Sequence, residues 1–442
     1  MATIAIFIIG AEILLLYCFV VINRLAKNNS KFNLYILMKF KSTHILIFFI
    51  LIFLMFSCKT TKIVKVVEPT EPIKSTQLII AANRTPNYLP LLMGKNIGLV
   101  ANQTSVIFKK DNSYSHLVDS LVSLNIAVKK VYAPEHGFRG DADAGELITD
   151  GMDKKTGIPI ISLYGNNKKP SPEQLKGIDL IIFDMQDVGV RFYTYISTLH
   201  YVMEACAEND IPLIVFDRPN PNAHYIDGPV LEQSYNSFVG MHPIPVVYGM
   251  TIGEYAAMIN GEKWLKNELK CDLTVVPLIN YSYQTFYSLP IKPSPNLPND
   301  QAINLYPSLC FFEGTNVSVG RGTEKQFQIY GSPFLTGNYQ YNFTPKPNYG
   351  AKSPVHDGKK CLGENLENHP RLTALNLDWL IEAYKSTVDK TQFFNNFFDK
   401  LAGNSTLQEQ IKQDKSIEEI RDSWHDDLKS FKKIRKKYLL YD

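Results

Sequence analysis

Five short, largely continuous apolar runs in the first half of the chain most constrain its fold. Polar residues follow each run within two positions. Strands that are buried on both faces of a sheet have this pattern, whereas half-exposed antiparallel strands alternate apolar and polar residues. The pattern therefore predicts a doubly wound α/β domain with a mainly parallel sheet. The runs lie at residues 97–100, 127–133, 158–163, 180–183 and 211–216.

The segments between the runs favour helices that would cover such a sheet. Apolar side chains recur at spacings of three and four through residues 195–209, which places them on one face of a helix. Thr251 and Glu254 have the spacing of a capping box, in which each side chain satisfies an orphan backbone donor. A helix is therefore predicted to begin after Thr251.

A proline-rich stretch at residues 290–300 separates the sheet region from the C-terminal part of the chain, because proline breaks regular structure. We predict a catalytic sheet domain over residues 77–289. Residues 290–442 are predicted to form a smaller C-terminal α+β domain that frames one side of a cleft.

Polar residues after the runs mark where a site should lie. In open α/β sheets, ligands bind beside the carboxyl ends of the strands. The densest polar segment is EHGFRGDADAGE at residues 135–146, which follows the run at 127–133 and Pro134 and carries four carboxylates, a histidine and an arginine. This loop is the first candidate for catalytic residues.

Residues 1–58 have the pattern of a leader. Basic residues precede an apolar run at 45–56, and Ser57 precedes Cys58, as in secretory signals of the lipoprotein type. The pattern predicts translation from Met38 and lipidation of Cys58. An uncleaved anchor is the alternative.

Residues 59–76 are polar and without periodicity, so they are predicted to tether the anchor to the sheet domain. If the apolar run at residues 4–22 were translated and inserted in the membrane, the chain that follows the leader would lie on the outer side of the cytoplasmic membrane. Both interpretations export the main domain. The expected location is the periplasm or the outer membrane of a Gram-negative-type envelope, with a lipid anchor in the membrane.

Composition excludes several classes of function. A net charge of +3 is too small to indicate nucleic-acid binding. The chain contains neither a dinucleotide fingerprint nor a P-loop, and the string GRG at 320–322 is too short to be one. Its six cysteines include no CxxC pair with zinc-site spacing. We therefore expect no cofactor.

Seven motifs occur in one order from about Asn96 to the carboxyl terminus, and together they resemble the bacterial DUF1343 family. Members of this family are known as exo-β-N-acetylmuramidases of the NamZ type. The motifs are GLVANQTSV, APEHGFRGDADAGE, DLIIFDMQDVGVRFYTY, VFDRPNPN, FVGMHPIPVVYGMTIGE, PSPNLPN and EGTNVSVGRGTE.

The resemblance implies a glycoside hydrolase that removes N-acetylmuramic acid from the non-reducing ends of peptidoglycan glycans during cell-wall turnover. It also implies a Rossmann-like larger domain that meets a smaller C-terminal domain at the cleft. Muramyl saccharides would be the binding partners. One departure is Glu324, which stands where many relatives have aspartate and keeps the carboxylate.

Cleavage of a glycosidic bond usually needs a carboxylic acid that protonates the leaving oxygen and a second carboxylate. Glu135 is predicted to be the acid, and a salt bridge from Glu135 to Arg139 is the structural alternative. For the second carboxylate we place Glu146 ahead of Asp187 and Asp184, and Asp184 has the alternative role of holding its loop through backbone hydrogen bonds.

His136, beside Glu135, is predicted to assist proton transfer or to position a sugar hydroxyl, and simple packing is an equal alternative. A bound metal is a rival explanation for the acidic loop, because hard cations prefer oxygen ligands. The loop matches neither an EF-hand nor a zincin helix, so no metal is predicted. Two rival functions stay open at this point: a metal-dependent hydrolase, and a non-catalytic lipoprotein that binds cell-wall sugars.

Muramic acid carries a lactyl carboxylate that other amino sugars lack. The planar fork of arginine matches a carboxylate in a bidentate way, so at least one motif arginine is predicted to bind substrate. Pairing with Asp184, Asp187 or Asp217 is the alternative role for the others. The candidates are Arg139, Arg191, Arg218 and Arg321.

Further residues are predicted to contact the sugar. The ring of Tyr193 can stack on it, and Asn102 and Gln103 can bind an acetamido group or hydroxyls through their paired donor and acceptor ends. Asn220 and Asn316 are weaker candidates of the same kind, since asparagine beside proline or glycine is often a turn residue. Asp184 completes the set of predicted substrate contacts.

Overall fold

The computed structural model describes residues 64–68, 76–111, 113–139 and 150–442. From residue 64 onward these residues form one compact unit. The predicted leader with Cys58 lies outside the described residues, and so do Asp141, Asp143 and Glu146 of the acidic loop.

The described strands are β1 (Lys65–Val66), β2 (Asn96–Ala101), β3 (Val106–Phe108), β4 (Tyr114–His116), β5 (Ala127–Ala133), β6 (Gly151–Met152), β7 (Pro159–Ser162), β8 (Leu180–Asp184), β9 (Leu213–Phe216), β10 (Leu273–Val276), β11 (Ile329–Ser332), β12 (Tyr341–Phe343) and β13 (Cys361–Asn365).

The described helices are α1 (Thr85–Leu92), α2 (Leu117–Ser123), α3 (Pro172–Leu175), α4 (Tyr195–Glu208), α5 (Ile252–Gly261), α6 (Asp300–Leu309), α7 (Asp378–Ser386), α8 (Phe398–Ala402), α9 (Thr406–Lys412), α10 (Ile417–Asp422) and α11 (His425–Arg435). None of the helices in these ranges is long and apolar enough to span a bilayer.

The main sheet has eight strands in the order β1-β10-β9-β8-β2-β5-β7-β6. All neighbouring strands are parallel except β6, which runs antiparallel to β7. The five predicted runs became β2, β5, β7, β8 and β9, and these strands lie side by side in the sheet. The predicted fold class, a mainly parallel doubly wound sheet with a smaller C-terminal α+β region, is confirmed.

Burial of both sheet faces explains why the runs are continuous. In β8, Ile181 and Phe183 belong to one hydrophobic cluster, and Leu180 and Ile182 belong to another. Side chains of α4 and α5 extend the first cluster, whereas side chains of α1 and α2 extend the second. Because successive residues of a strand point to opposite faces, every residue of a strand covered on both sides must be apolar.

Lys65 and Val66, within the predicted tether of residues 59–76, lie in the main sheet. These two residues form edge strand β1, which pairs in parallel with Thr274 and Val275 of β10. A strand of two residues has too few side chains to show a period, so the sequence pattern could not reveal it. The chain therefore joins the sheet well before residue 77.

The C-terminal region packs on the sheet through a shared core. It contains a three-stranded antiparallel sheet in the order β11-β13-β12 and helices α6 to α11. One hydrophobic cluster includes Val215 of the main sheet together with Phe311 and Leu401 of the C-terminal region. Burial of apolar surface in this shared cluster holds the two parts together.

The last residues of the chain are bound inside the sheet region. The Tyr441 hydroxyl donates to Oδ2 of Asp217 at 2.5 Å and accepts from the Leu278 amide at 2.8 Å. The Leu440 amide donates to Oε1 of Glu254 at 2.7 Å. Burial raises the pKa of Asp217 to about 6 and that of Glu254 to about 7. The chain end thus supplies hydrogen bonds to two buried carboxyl groups.

Candidate active site

A cleft of about 700 Å³ lies where the carboxyl ends of β5, β7 and β8 meet the C-terminal region. Glu135 and His136 follow β5, Tyr164 follows β7, and Thr194 precedes α4. The opposite wall consists of residues from the C-terminal region, among them Asn296, Tyr306, Glu313, Arg321, Phe327 and residues 350–355.

Glu135 is the catalytic candidate that the structure places in the cleft with both oxygens in defined contacts. The Tyr164 hydroxyl donates to its Oε1 at 3.0 Å, and the Thr194 hydroxyl donates to its Oε2 at 2.8 Å. Burial, and then the charge of Glu135, raises the pKa of Tyr164, so this hydroxyl keeps its proton and stays a donor. Two hydroxyls from separate loops therefore fix the orientation of the Glu135 carboxyl group.

A tight turn presents Glu135 to the cleft. The Gly137 amide donates to the Pro134 carbonyl at 3.0 Å, and both His136 (φ 71°) and Gly137 (φ 79°) have left-handed backbone conformations. A non-glycine residue in this region costs on the order of 1 kcal/mol and persists only where its surroundings enforce it. Phe138 enforces it here, because its buried ring packs against His116 with centroids 4.7 Å apart.

His136 lies beside Glu135 in the cleft lining, as the sequence predicted, and its side chain is buried. Tyr193 also lines the cleft, but its hydroxyl donates to the Pro293 carbonyl at 2.8 Å and its ring packs against Tyr195. Tyr193 therefore supports the cleft wall and offers the cleft little ring surface.

Arg139 does not bind Glu135 and does not line the cleft. Its Nε and Nη2 donate to the two carboxylate oxygens of Asp153, both at 2.8 Å, and Nη2 lies 3.3 Å from Asp119. The guanidinium holds the pKa of Asp153 well below its usual range. The prediction that Arg139 binds substrate is therefore corrected. Through its ion pair with Asp153, this arginine fixes the end of the turn that carries Glu135.

Two further arginines are in the interior and cannot reach a ligand in the cleft. Arg218 forms a buried bidentate ion pair with Asp184, with Nε to Oδ1 at 2.7 Å and Nη2 to Oδ2 at 2.8 Å. Arg191 is fully buried and has no carboxylate partner among the described residues, and burial lowers its pKa to about 9. Its guanidinium donates to the backbone carbonyls of Pro229, Ile244, Leu401 and Ala402.

The predicted substrate contacts of Arg191, Arg218 and Asp184 are thus corrected to structural roles. Asp187 is corrected in the same way. It is buried, it accepts from the Tyr248 hydroxyl and the Gly189 amide, and burial raises its pKa to about 6. Asp187 is not among the described residues that line the cleft.

The predicted amide contacts also have structural partners. Asn102 binds the Tyr195 hydroxyl at 2.7 Å and is fully buried. Gln103 donates to two backbone carbonyls near residue 292 at 3.2 Å, and Asn220 donates to the Met250 carbonyl at 2.8 Å. Donor groups of these three side chains hold loops together. Asn316 lies outside the described cleft lining, and its Oδ1 is buried without a hydrogen-bond partner among the described residues.

The cleft residues that were not predicted from the sequence include Tyr164, Thr194 and Glu313. Tyr164 directly follows a strand, and that position was the available signal for it. Glu313 begins the motif EGTNVSVGRGTE and forms an ion pair with Arg321, Nε to Oε1, at 2.7 Å. Of the predicted arginines, Arg321 lines the cleft. Among the described cleft-lining residues, the carboxylates are Glu135 and Glu313.

Within the described ranges, no group of three or more histidine, cysteine, aspartate or glutamate side chains is arranged to hold a metal ion. The remaining acidic residues of the 135–146 loop lie outside those ranges. The cleft lies at the ends of parallel strands, and an oriented carboxyl group, hydroxyls and aromatic rings surround it. These features define a hydrolytic α/β enzyme whose site suits a sugar.

Two family models match consecutive parts of the chain. The model described as exo-β-N-acetylmuramidase NamZ, N-terminal, matches residues 97–301, and the one described as its C-terminal part matches residues 304–441. The chain therefore belongs to the NamZ family of glycosidases.

Individual relatives agree with this assignment. The peptidoglycan β-N-acetylmuramidase NamZ of Bacillus subtilis strain 168 is 40% identical over 377 residues, which covers 80% of this chain and 89% of the relative. A crystal structure of a DUF1343 family protein from Bacteroides fragilis is 47% identical with a TM-score of 0.76, and covers 83% of this chain and 99% of its own. A second such protein from the same species is 28% identical with a TM-score of 0.69, at 83% and 100% coverage.

Proposed function

We propose that this protein releases terminal N-acetylmuramic acid from the non-reducing ends of peptidoglycan fragments during cell-wall turnover. The observation that carries the proposal is the Glu135 carboxyl group, held by Tyr164 and Thr194 in the cleft of a NamZ-family chain. The B. subtilis relative is named for a β-N-acetylmuramidase activity, which supports the same substrate class here.

The cleft geometry supports a general-acid role for Glu135. An acid catalyst must lie within hydrogen-bond reach of the glycosidic oxygen in a plausible substrate pose. Thr194 and Tyr164 prevent the Glu135 carboxyl group from turning away from the cleft, and the half-buried ring of Phe238 provides apolar surface for a sugar ring. Glu146 stays the predicted second carboxylate.

The size of the cleft supports exo action. A volume of about 700 Å³ falls within the range of roughly 300–1,000 Å³ that is typical of pockets for small molecules. A terminal sugar with part of its neighbour fits such a space. A long groove, which an enzyme needs to bind a glycan strand along its length, is a different shape.

Glycan fragments with a label at the reducing end test this proposal. With N-acetylmuramic acid at the non-reducing end, we expect release of free N-acetylmuramic acid and a labelled product that is one sugar shorter. Matched fragments that begin with N-acetylglucosamine should stay intact. Products can be separated by chromatography with mass detection, with and without EDTA.

Labelled fragments of intermediate length would contradict exo action. No cleavage of either fragment by the folded protein would contradict the muramidase proposal and favour a sugar-binding lipoprotein. Loss of cleavage in EDTA would favour the metal-dependent alternative.

We further propose that the protein is exported and anchored as a lipoprotein facing the periplasm. The basic, apolar and small-residue pattern that ends at Cys58 supports this, and so does a substrate class that lies outside the cytoplasmic membrane. Cys58→Ala should move the protein from the membrane fraction to the soluble fraction or leave it unprocessed, as measured by fractionation and intact mass. Ser57→Ala keeps a small residue before the cysteine and should change neither. Equal membrane association of both variants together with an equal processed mass would contradict lipidation.

A further inference from the structure

Arg321 presents to the cleft a guanidinium edge that has no hydrogen-bond partner among the described residues. Its Nε donates to Glu313 at 2.7 Å, and both side chains are about one quarter exposed. In the described part of the chain, no hydrogen bond involves Nη1 or Nη2 of Arg321, and neither nitrogen is a buried atom without a partner. The two terminal nitrogens are therefore accessible and available to a ligand.

The backbone around Arg321 is built to present this side chain. Gly320 and Gly322 flank it with φ of 78° and 79°, a conformation that favours glycine. A Cβ atom on Gly320 would lie 2.6 Å from Cγ1 of Ile329, and one on Gly322 would lie 2.7 Å from the Lys346 carbonyl oxygen. The string GRG is thus a turn that needs both glycines, and the arginine between them points to the cleft.

Contacts on two sides fix the orientation of the Arg321 guanidinium. Glu313 binds its Nε, and the buried ring of Phe327 lies beneath it, 5.2 Å from the ring centroid to Cζ. A guanidinium that is held before the ligand arrives loses less side-chain entropy on binding. The remaining edge, Nη1 and Nη2, has the geometry that matches the two oxygens of a carboxylate.

The position of Arg321 relates this edge to the catalytic candidate. Tyr164 binds Glu135 through its hydroxyl and is close enough to feel the charge of Arg321, and all three side chains line the same cleft. A sugar whose glycosidic oxygen meets Glu135 can therefore extend a substituent toward Arg321. The other motif arginines are engaged elsewhere, because Arg139 binds Asp153, Arg218 binds Asp184, and Arg191 donates to backbone carbonyls through Nη1 and Nη2.

We propose that Arg321 is the residue that selects muramic acid, by binding its lactyl carboxylate through Nη1 and Nη2. Glu313 is the positioning residue that orients Arg321. This inference rests on the proposed function, because it names the substituent by which the same cleft recognises its sugar. N-acetylglucosamine lacks the carboxylate and would leave the guanidinium edge unpaired.

Assays of two proteins, the wild type and Arg321→Gln, on each of two substrates test the pairing of Arg321 with the lactyl carboxylate. The substrates are a 4-nitrophenyl β-N-acetylmuramide and its lactyl carboxamide, which keeps the shape and removes the charge. A hydrogen bond to a charged group is worth about 1.5–3 kcal/mol, so the wild-type protein should prefer the acid by roughly 10- to 150-fold in kcat/KM. Arg321→Gln should lose this preference, mainly through a higher KM for the acid.

Arg371→Gln is the matched control, because Arg371 is exposed and outside the cleft lining. It should keep the full preference. Glu313→Gln should raise KM for the acid with little change in kcat, as expected for a positioning residue. If Glu313→Gln instead abolished kcat on both substrates, the positioning role would be wrong.

The outcomes separate this inference from the proposed function. Wild-type turnover with equal losses on acid and amide in Arg321→Gln would overturn the selection by Arg321 and leave the muramidase intact. If the wild type turned over neither substrate, the proposed function would fail, and calorimetry with free N-acetylmuramic acid and its lactyl amide would decide the inference. Tighter binding of the acid that disappears in Arg321→Gln supports it, and equal binding overturns it.

Discussion

Replacing Glu135 with glutamine should lower kcat on a 4-nitrophenyl β-N-acetylmuramide by about 10²- to 10⁴-fold, the usual contribution of a positioned general acid. Glutamine preserves the size of the side chain and its contacts with Tyr164 and Thr194, but it has no proton to give the leaving oxygen. The expected change in KM is small. Steady-state kinetics at one pH measures both quantities.

The leaving group distinguishes loss of an acid from loss of structure. From a 2,4-dinitrophenyl muramide, the dinitrophenolate leaves without help from a proton. The defect of Glu135→Gln should therefore shrink markedly on this substrate. Glu173→Gln, at an exposed glutamate of α3, is the matched control and should behave as the wild type. A defect that is equally large on both substrates would rule out the general-acid role.

Replacing Arg218 with methionine should cost about 3–5 kcal/mol of the free energy of unfolding, because it leaves a buried carboxylate without its partner. Asp184 is completely buried, and its ion pair with Arg218 has both hydrogen bonds below 3 Å. The double variant Asp184→Asn with Arg218→Met should recover a large part of this loss. Urea unfolding at pH 7 measures all three proteins.

The cost of Arg218→Met should also depend on pH. Burial raises the pKa of Asp184, and Arg218 opposes this shift. In the variant the folded protein binds a proton at higher pH than the unfolded chain does, so its stability rises as the pH falls. The difference from wild type should therefore be smaller at pH 5 than at pH 8. A difference that grows toward acid pH, or a double variant as unstable as the single one, would contradict this account of the pair.

The fold could be predicted from the sequence where burial imposes a local pattern. Five strands are predicted by apolar runs, because a strand covered on both faces must be apolar at consecutive positions. The same reasoning fails for β1 and β6, which have two residues each. Their places in the sheet depend on the strands beside them, and no local pattern records that.

The site could be predicted in part. Glu135, His136 and Arg321 were predicted, and all three line the cleft. They could be predicted because a position after a strand or within a polar motif can be recognised from neighbouring residues in the sequence. Arg191 shows the limit of such reasoning. Its four carbonyl partners lie 38 to 211 residues away in the chain, and main-chain carbonyls carry no residue-type signal. The sequence alone cannot distinguish an arginine that binds a ligand from one that ties loops together.

The contacts of Tyr441 and Leu440 have a consequence for how the protein is made. A ribosome delivers the chain from its amino end, so the partners of Asp217 and Glu254 emerge after every strand of the main sheet has been synthesised. Until then two buried carboxyl groups of the sheet region lack hydrogen bonds that Leu440 and Tyr441 supply. The sheet region therefore cannot complete its native interior until these two residues have been synthesised.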